Sequence, residues 1–151
     1  MRDSIEKKIL LRAPRSRVWR ALADQEEFGR WFGCRLPAGA FAPGCEVAGN
    51  ITYPGYEHLE FRVVVDRVEP ERLLSWRWHP APMDPDFDYS VEPPTLVTFT
   101  LEDAEEGTLL TVVESGFDRI PLARRGEAYE MNEGGWAEQI TNIERHVAAN
   151  A

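Results

Sequence analysis

In the segment Thr108 to Phe117, Leu110 and Val112 set an inward-facing phase that Glu114 continues. A carboxylate on that phase is withdrawn from water, which disfavours its charged form unless a cation or hydrogen-bond donors answer it. Partners of both kinds recur at helical spacing further on: Arg125, Asn132 and Gln139 fall on or beside one stripe. A Glu–Arg or Glu–Asn pair inside a pocket can bind a ligand hydroxyl or carbonyl, or move a proton. Glu114 is thus the one candidate for a catalytic residue. The plainer expectation for it is a solvated strand-end glutamate or a structural ion pair.

The surroundings of that carboxylate follow from the same alternation. Phe61, Val63 and Val65 share a phase, as do Leu74, Trp76 and Trp78, and Val97, Phe99 and Leu101. With Leu110 and Val112, and with Tyr129 and Trp136 from the helical stripe, they make a concave surface rich in large aromatics. Such a lining suits a flat or branched apolar ligand oriented by few polar groups; the same residues can also simply fill a solid core. Trp31, Phe32 and Phe41 are candidates for a lid, or for a small satellite core. Tyr56 and His58 sit at a turn and are candidates for a rim. Gly134-Gly135 inside a helical pattern costs about 1 kcal/mol per glycine relative to alanine, which calls for close packing, a kink or space for a ligand.

Other chemistry is poorly supported. Asp84, Asp86 and Asp88 begin like a calcium loop, but Tyr89 stands where the turn needs glycine and Thr95 where a bidentate glutamate belongs. With Pro82 and Pro85 interleaved, the stretch reads as an exposed acidic loop. His58, His79 and His146 have no ligand-like spacing, and Cys34 and Cys45 form no C-x-x-C pair, so neither a metal nor a disulfide is expected. No G-x-S-x-G, P-loop or dinucleotide fingerprint occurs, and no cofactor is expected. The net charge of -9 opposes phosphate backbones and anionic membrane surfaces, which argues against nucleic acid as a partner. No apolar run reaches the roughly 20 residues of a bilayer span, so no membrane insertion is expected. Met1 to Arg12 lacks a signal-peptide core. The expected location is cytoplasmic.

The elements that must position these residues can be traced along the chain. Its 151 residues predict one domain with an ordinary core. Ile5 to Arg12 reads as a first strand, and Pro14 opens a helix carrying Val18, Trp19 and Leu22 on one face. A second short helix is predicted from Gln25 to Phe32. Strands follow at Glu46 to Tyr53 and Glu57 to Val68 around the turn Tyr53-Pro54-Gly55-Tyr56, then at Leu73 to His79. After a proline-rich loop, Thr95 to Glu102 and Thr108 to Phe117 form a hairpin. A helix of roughly seven turns runs from Pro121 to Ala149, its stripe comprising Leu122, Arg125, Tyr129, Asn132, Trp136, Ile140, Ile143 and Val147. One long helix covers one face of a sheet of about six strands, an α+β arrangement.

Four stretches carry a family resemblance: Ala13-Pro14 through Leu22 with Trp31-Phe32; Val68-Glu69-Pro70 through Leu74-Ser75-Trp76; Val97 to Leu101 with Gly107 to Thr111; and Gly134-Gly135-Trp136. They resemble the START-like, or birch-pollen-allergen-like, superfamily (SRPBCC), and within it the family named for the activator of the heat-shock-protein-90 ATPase. The resemblance implies a helix-grip fold: a curved antiparallel sheet wrapped around the C-terminal helix, with two short helices after the first strand. It covers the C-terminal domain of the eukaryotic co-chaperones and not their N-terminal chaperone-engaging domain. It implies a cavity for a hydrophobic small molecule, lipid-like, aromatic or polyketide-like. A cyclase- or aromatase-type enzyme using Glu114 is a second implication, and a co-chaperone-like module with a chaperone as protein partner is a third.

Overall fold

The computed structural model describes residues 3–82, 84 and 86–150; Pro85 of the acidic loop lies outside the described residues. Strand β1 (Ser4–Leu11) leads into helices α1 (Arg15–Ala23) and α2 (Gln25–Phe32). Strands β2 (Glu46–Asn50), β3 (Glu60–Glu69), β4 (Leu73–Trp78), β5 (Thr95–Ala104) and β6 (Gly107–Ser115) follow, and α3 (Leu122–Ala149) completes the order. The strands form one antiparallel sheet in the order β1-β6-β5-β4-β3-β2. This is the α+β helix-grip arrangement expected from the sequence.

Local chemistry explains the element boundaries. Asp24 ends α1 and starts α2: its backbone N–H reaches the Arg20 carbonyl, and its side chain accepts from the Glu27 N–H. Gly33 stops α2 in the left-handed region at φ 98°, where a glycine carries no Cβ penalty. The β2–β3 hairpin opens earlier than its sequence predicts. Beyond Asn50 the chain turns to the segment after α2: Arg35 N–H donates to the Asn50 carbonyl, and Ile51 bridges Cys34. A register shift between Val65 and Arg67 marks a bulge in β3, and such bulges sharpen the local bend of a sheet.

The core sits between the concave face of the sheet and the three helices. Phe61, Val63, Val65, Leu74, Trp76, Val97, Phe99, Leu101, Leu110 and Val112 are all buried, the inward set that alternation predicts. α3 is amphipathic, and Ala128, Trp136, Ile143 and Val147 are its buried residues. Leu122 belongs to the predicted stripe yet is 77% exposed, because the first turn of α3 projects past the sheet. Among the described residues no helix is long and apolar enough to cross a membrane.

Candidate functional site

Glu114 faces inward near the end of β6 and is fully buried. Its register partner on β5 is Val97, and two residues back along that strand Thr95 brings a hydroxyl to the same point. Thr95 Oγ1 donates to Glu114 Oε2 at 2.5 Å, and Trp78 Nε1, from the end of β4, donates to the same oxygen at 2.8 Å. From α3, Trp136 Nε1 donates to Oε1 at 2.8 Å, and Asn132 Nδ2 lies 2.9 and 3.1 Å from the two oxygens. Asn132 and Trp136 are four residues apart, so one helical face delivers both. An indole N–H can only donate, so both carboxylate oxygens act as acceptors. Among the described residues no Lys, Arg or His pairs with Glu114.

The aromatic side chains expected to line a cavity are brought together and pack on one another. Trp76 contacts Phe61, Trp78 and Phe99 at ring-centroid distances of 5.8, 4.7 and 5.7 Å. Trp76 Nε1 is buried with no hydrogen-bond partner among the described residues. Two spaces remain. A void of about 10 Å³ lies between Phe99, Leu110, Val112, Trp31 and Trp136, room for no more than a single water. A cleft of about 80 Å³ is lined by Phe32, Trp78, Asn132, Gly135, Trp136 and Gln139. It sits beside three of the side chains that hold Glu114. A Cβ built on Gly134 or Gly135 meets nothing within 4 Å, so close packing does not explain these glycines; Gly135 leaves the cleft open on the helix side.

The remaining predicted site residues divide between the cleft and other parts of the fold. Arg125 does not reach Glu114. Its guanidinium donates to the Ile120 and Asp118 carbonyls at 3.0 and 2.7 Å, because the start of α3 overhangs the turn after β6. Tyr129 donates to the Ser4 carbonyl at 3.1 Å and packs on Phe117, away from the cleft. Trp31, Phe32 and Phe41 are buried, and Phe28 joins all three to Phe61 and Trp76, so they extend the main core instead of forming a satellite. Tyr56 and His58 are exposed at the hairpin and do not line the cleft. Gln139 donates to the Phe32 carbonyl at 2.8 Å, tying α3 to the end of α2.

Two further buried carboxylates escaped sequence reasoning. Glu27 on α2 lies 2.6 Å from Arg17 Nη1, 3.2 Å from Arg20 Nε and 2.9 Å from His146 Nε2. Burial pushes its carboxyl up, but hydrogen bonds from His146 and Arg17 outweigh that and hold it below the usual range. Glu92 accepts a two-pronged bond from Arg124, which also donates to the Pro80 and Ala81 carbonyls and lies over the Tyr89 ring. Asp84 and Asp88 are engaged in local turns with the Asp86 N–H and with Ser90. Among the described residues no three His, Cys, Asp or Glu side chains gather in metal-ligating geometry. Cys34 is buried and its thiol is pushed up to about 12 by desolvation; Cys45 is exposed, and neither is bridged.

A curved six-stranded sheet gripping one long helix, with a buried polar anchor between them, defines a helix-grip protein of the START-like class. A family model described as Activator of Hsp90 ATPase homolog 1-like protein matches residues 12–148, and the chain belongs to that family. Curated proteins yield no match. A solved structure of a Mesorhizobium loti protein is 25% identical, with a TM-score of 0.76 and 98% of each chain covered. DynU16, a protein in the dynemicin biosynthetic locus, is 24% identical with a TM-score of 0.75; the match covers 99% of this chain and 49% of DynU16. The Aha1 dimer from Colwellia psychrerythraea is 16% identical, with a TM-score of 0.69 and 95% of each chain covered. The last two likenesses show the shared fold alone.

Proposed function

We propose that this protein binds a hydrophobic small molecule between the sheet and α3, admitted through the cleft beside Gly135. The observation that carries the reading is Glu114: a buried carboxylate at the edge of that cleft, held by neutral donors inside an aromatic interior. Pockets for drug-sized ligands occupy roughly 300–1,000 Å³, far more than the cleft of about 80 Å³. Any ligand beyond a few heavy atoms therefore displaces Phe32 or lifts α3. On this reading the chain acts as one binding domain on a diffusible ligand in the cytoplasm.

The test is native mass spectrometry of the purified protein, followed by amide-shift mapping against a panel of apolar and aromatic compounds. A co-purified mass, or shifts centred on Phe32, Trp78, Glu114 and Trp136, supports the reading. A bare protein whose interior responds to nothing in the panel overturns it. The cyclase-type reading would require Glu114 to exchange a proton with the ligand. Its signature is a Glu114→Gln variant that loses turnover and keeps binding, and the donors already on both oxygens give it no added support. A protein partner is the reading supported by family membership, together with two exposed apolar side chains, Val91 next to Glu92 and Leu122 two residues before its partner Arg124. It predicts that charged substitutions at these two positions abolish stimulation of a chaperone ATPase.

A further inference from the structure

We infer that the molecule taken up by the cleft carries a small organic cation, an alkylated ammonium group, seated against the rings of Phe32, Trp78 and Trp136. This rests on the binding reading above and narrows it to a ligand class. The three rings meet at the cleft with centroid separations of 6.2 Å for Phe32–Trp78, 6.1 Å for Phe32–Trp136 and 5.8 Å for Trp78–Trp136. An aromatic face attracts a cation within roughly 6 Å of its centroid, and the attraction grows when water is excluded. Trp is the strongest of the aromatic faces in this respect, and two of the three rings are Trp.

The charge distribution points the same way. Trp78 and Trp136 both donate their N–H groups to Glu114. Donation to a carboxylate polarises each indole and moves electron density onto its ring, making its face more attractive to a positive charge. Glu114 also lacks the partner its peers possess. Glu27 has Arg17, Arg20 and His146, and Glu92 has Arg124, whereas no Lys, Arg or His among the described residues pairs with Glu114. A buried carboxylate without a counter-charge is costly, and a cation in the adjoining cleft supplies one.

Size and hydration select the kind of cation. The cleft of about 80 Å³ accommodates a compact group, and Gly135 adds no side chain to its mouth. A bare ammonium is strongly hydrated and would lose that hydration against three rings. An alkylated one carries its charge on an apolar surface and loses less.

The experiment titrates the full-length, isotope-labelled protein with choline and with its uncharged carbon isostere, 3,3-dimethylbutanol, while following the indole N–H signals of Trp78 and Trp136. Choline is expected to shift both signals and to bind at least about tenfold more tightly than the alcohol, a difference of about 1.4 kcal/mol. Glu114→Gln is expected to erase that preference. Should Glu114→Gln fail to fold, Gly135→Leu provides the second variant, because it adds bulk to the cleft at an exposed helical position; it is expected to abolish the choline shifts. Equal binding of choline and the alcohol overturns the cation assignment and leaves hydrophobic binding standing. So does a silent choline titration in a protein whose Trp136 responds to neutral aromatics. Silence toward every compound overturns both readings.

Discussion

Glu27 and Glu114 are both withdrawn from water, and the protein answers them in opposite ways. Glu27, at the meeting of α1, α2 and the end of α3, is surrounded by charge: two arginines and a histidine, with Arg17 itself only 7% exposed. Glu114, between the sheet and the middle of α3, is surrounded by indoles, an amide and a hydroxyl. The first arrangement more than matches the charge of its carboxylate and binds three helices together. The second leaves a buried carboxyl group with no cationic partner among the described residues, beside the cleft of about 80 Å³. A carboxylate that completes its own charge balance reads as structural, and one that does not reads as part of a binding site.

The comparison is sharpened most by removing the self-balanced carboxylate. Glu27→Ala leaves Arg17 buried without its counter-charge and is expected to cost about 3–5 kcal/mol, read from urea denaturation midpoints. Glu114→Gln keeps the shape and strands no buried cation, but its amide NH2 must face one of the two indole N–H donors; about 1–3 kcal/mol is expected from the same measurement. Equal losses for the two variants would break the distinction.

The acid limb of stability provides a third view. Because Glu27 is held below the usual carboxylate range, the stability it contributes is fully present above that range. It is lost as the pH falls through the lowered value. Denaturation midpoints collected between about pH 6 and pH 3 should decline, and Glu27→Gln should flatten part of that decline. The smallest effect is expected at Gly135→Ala, which meets no neighbouring atom and should stabilise α3 by about 0.5–1 kcal/mol in thermal or chemical unfolding.

Much of this geometry was legible in the sequence because strand alternation is a strict rule. Once Leu110 and Val112 face the core, Glu114 has no other side to face, and the same logic placed Phe61, Trp76 and Phe99. The helical stripe correctly delivered Asn132 and Trp136, whose positions four apart over the sheet centre leave little freedom. It failed at Arg125 and Leu122, where α3 extends beyond the sheet and periodicity no longer reports on burial. Thr95 was missed as a ligand of Glu114 because its role depends on the β5–β6 register, which alternation within one strand does not reveal. The Glu27 cluster was invisible for a stronger reason: His146 lies 119 residues away in sequence, and only the docking of α3 on α2 brings the two together. The filling of the concave face by its own aromatic rings likewise depends on rotamers, which a pattern of residue types does not contain.

The contrasting cysteines give the molecule a built-in clock. Cys45 is open to solvent and will alkylate at the rate of any accessible thiol, whereas Cys34, two residues after Phe32, is buried with its thiol pushed up to about 12. Only the thiolate reacts, so modification of Cys34 waits for the chain just after α2 to open, and its lag behind Cys45 measures how often that happens. A molecule that displaces Phe32 or lifts α3 shortens the lag without touching either sulfur. Occupancy of the interior can thus be timed from the labelling pattern of an unmodified protein.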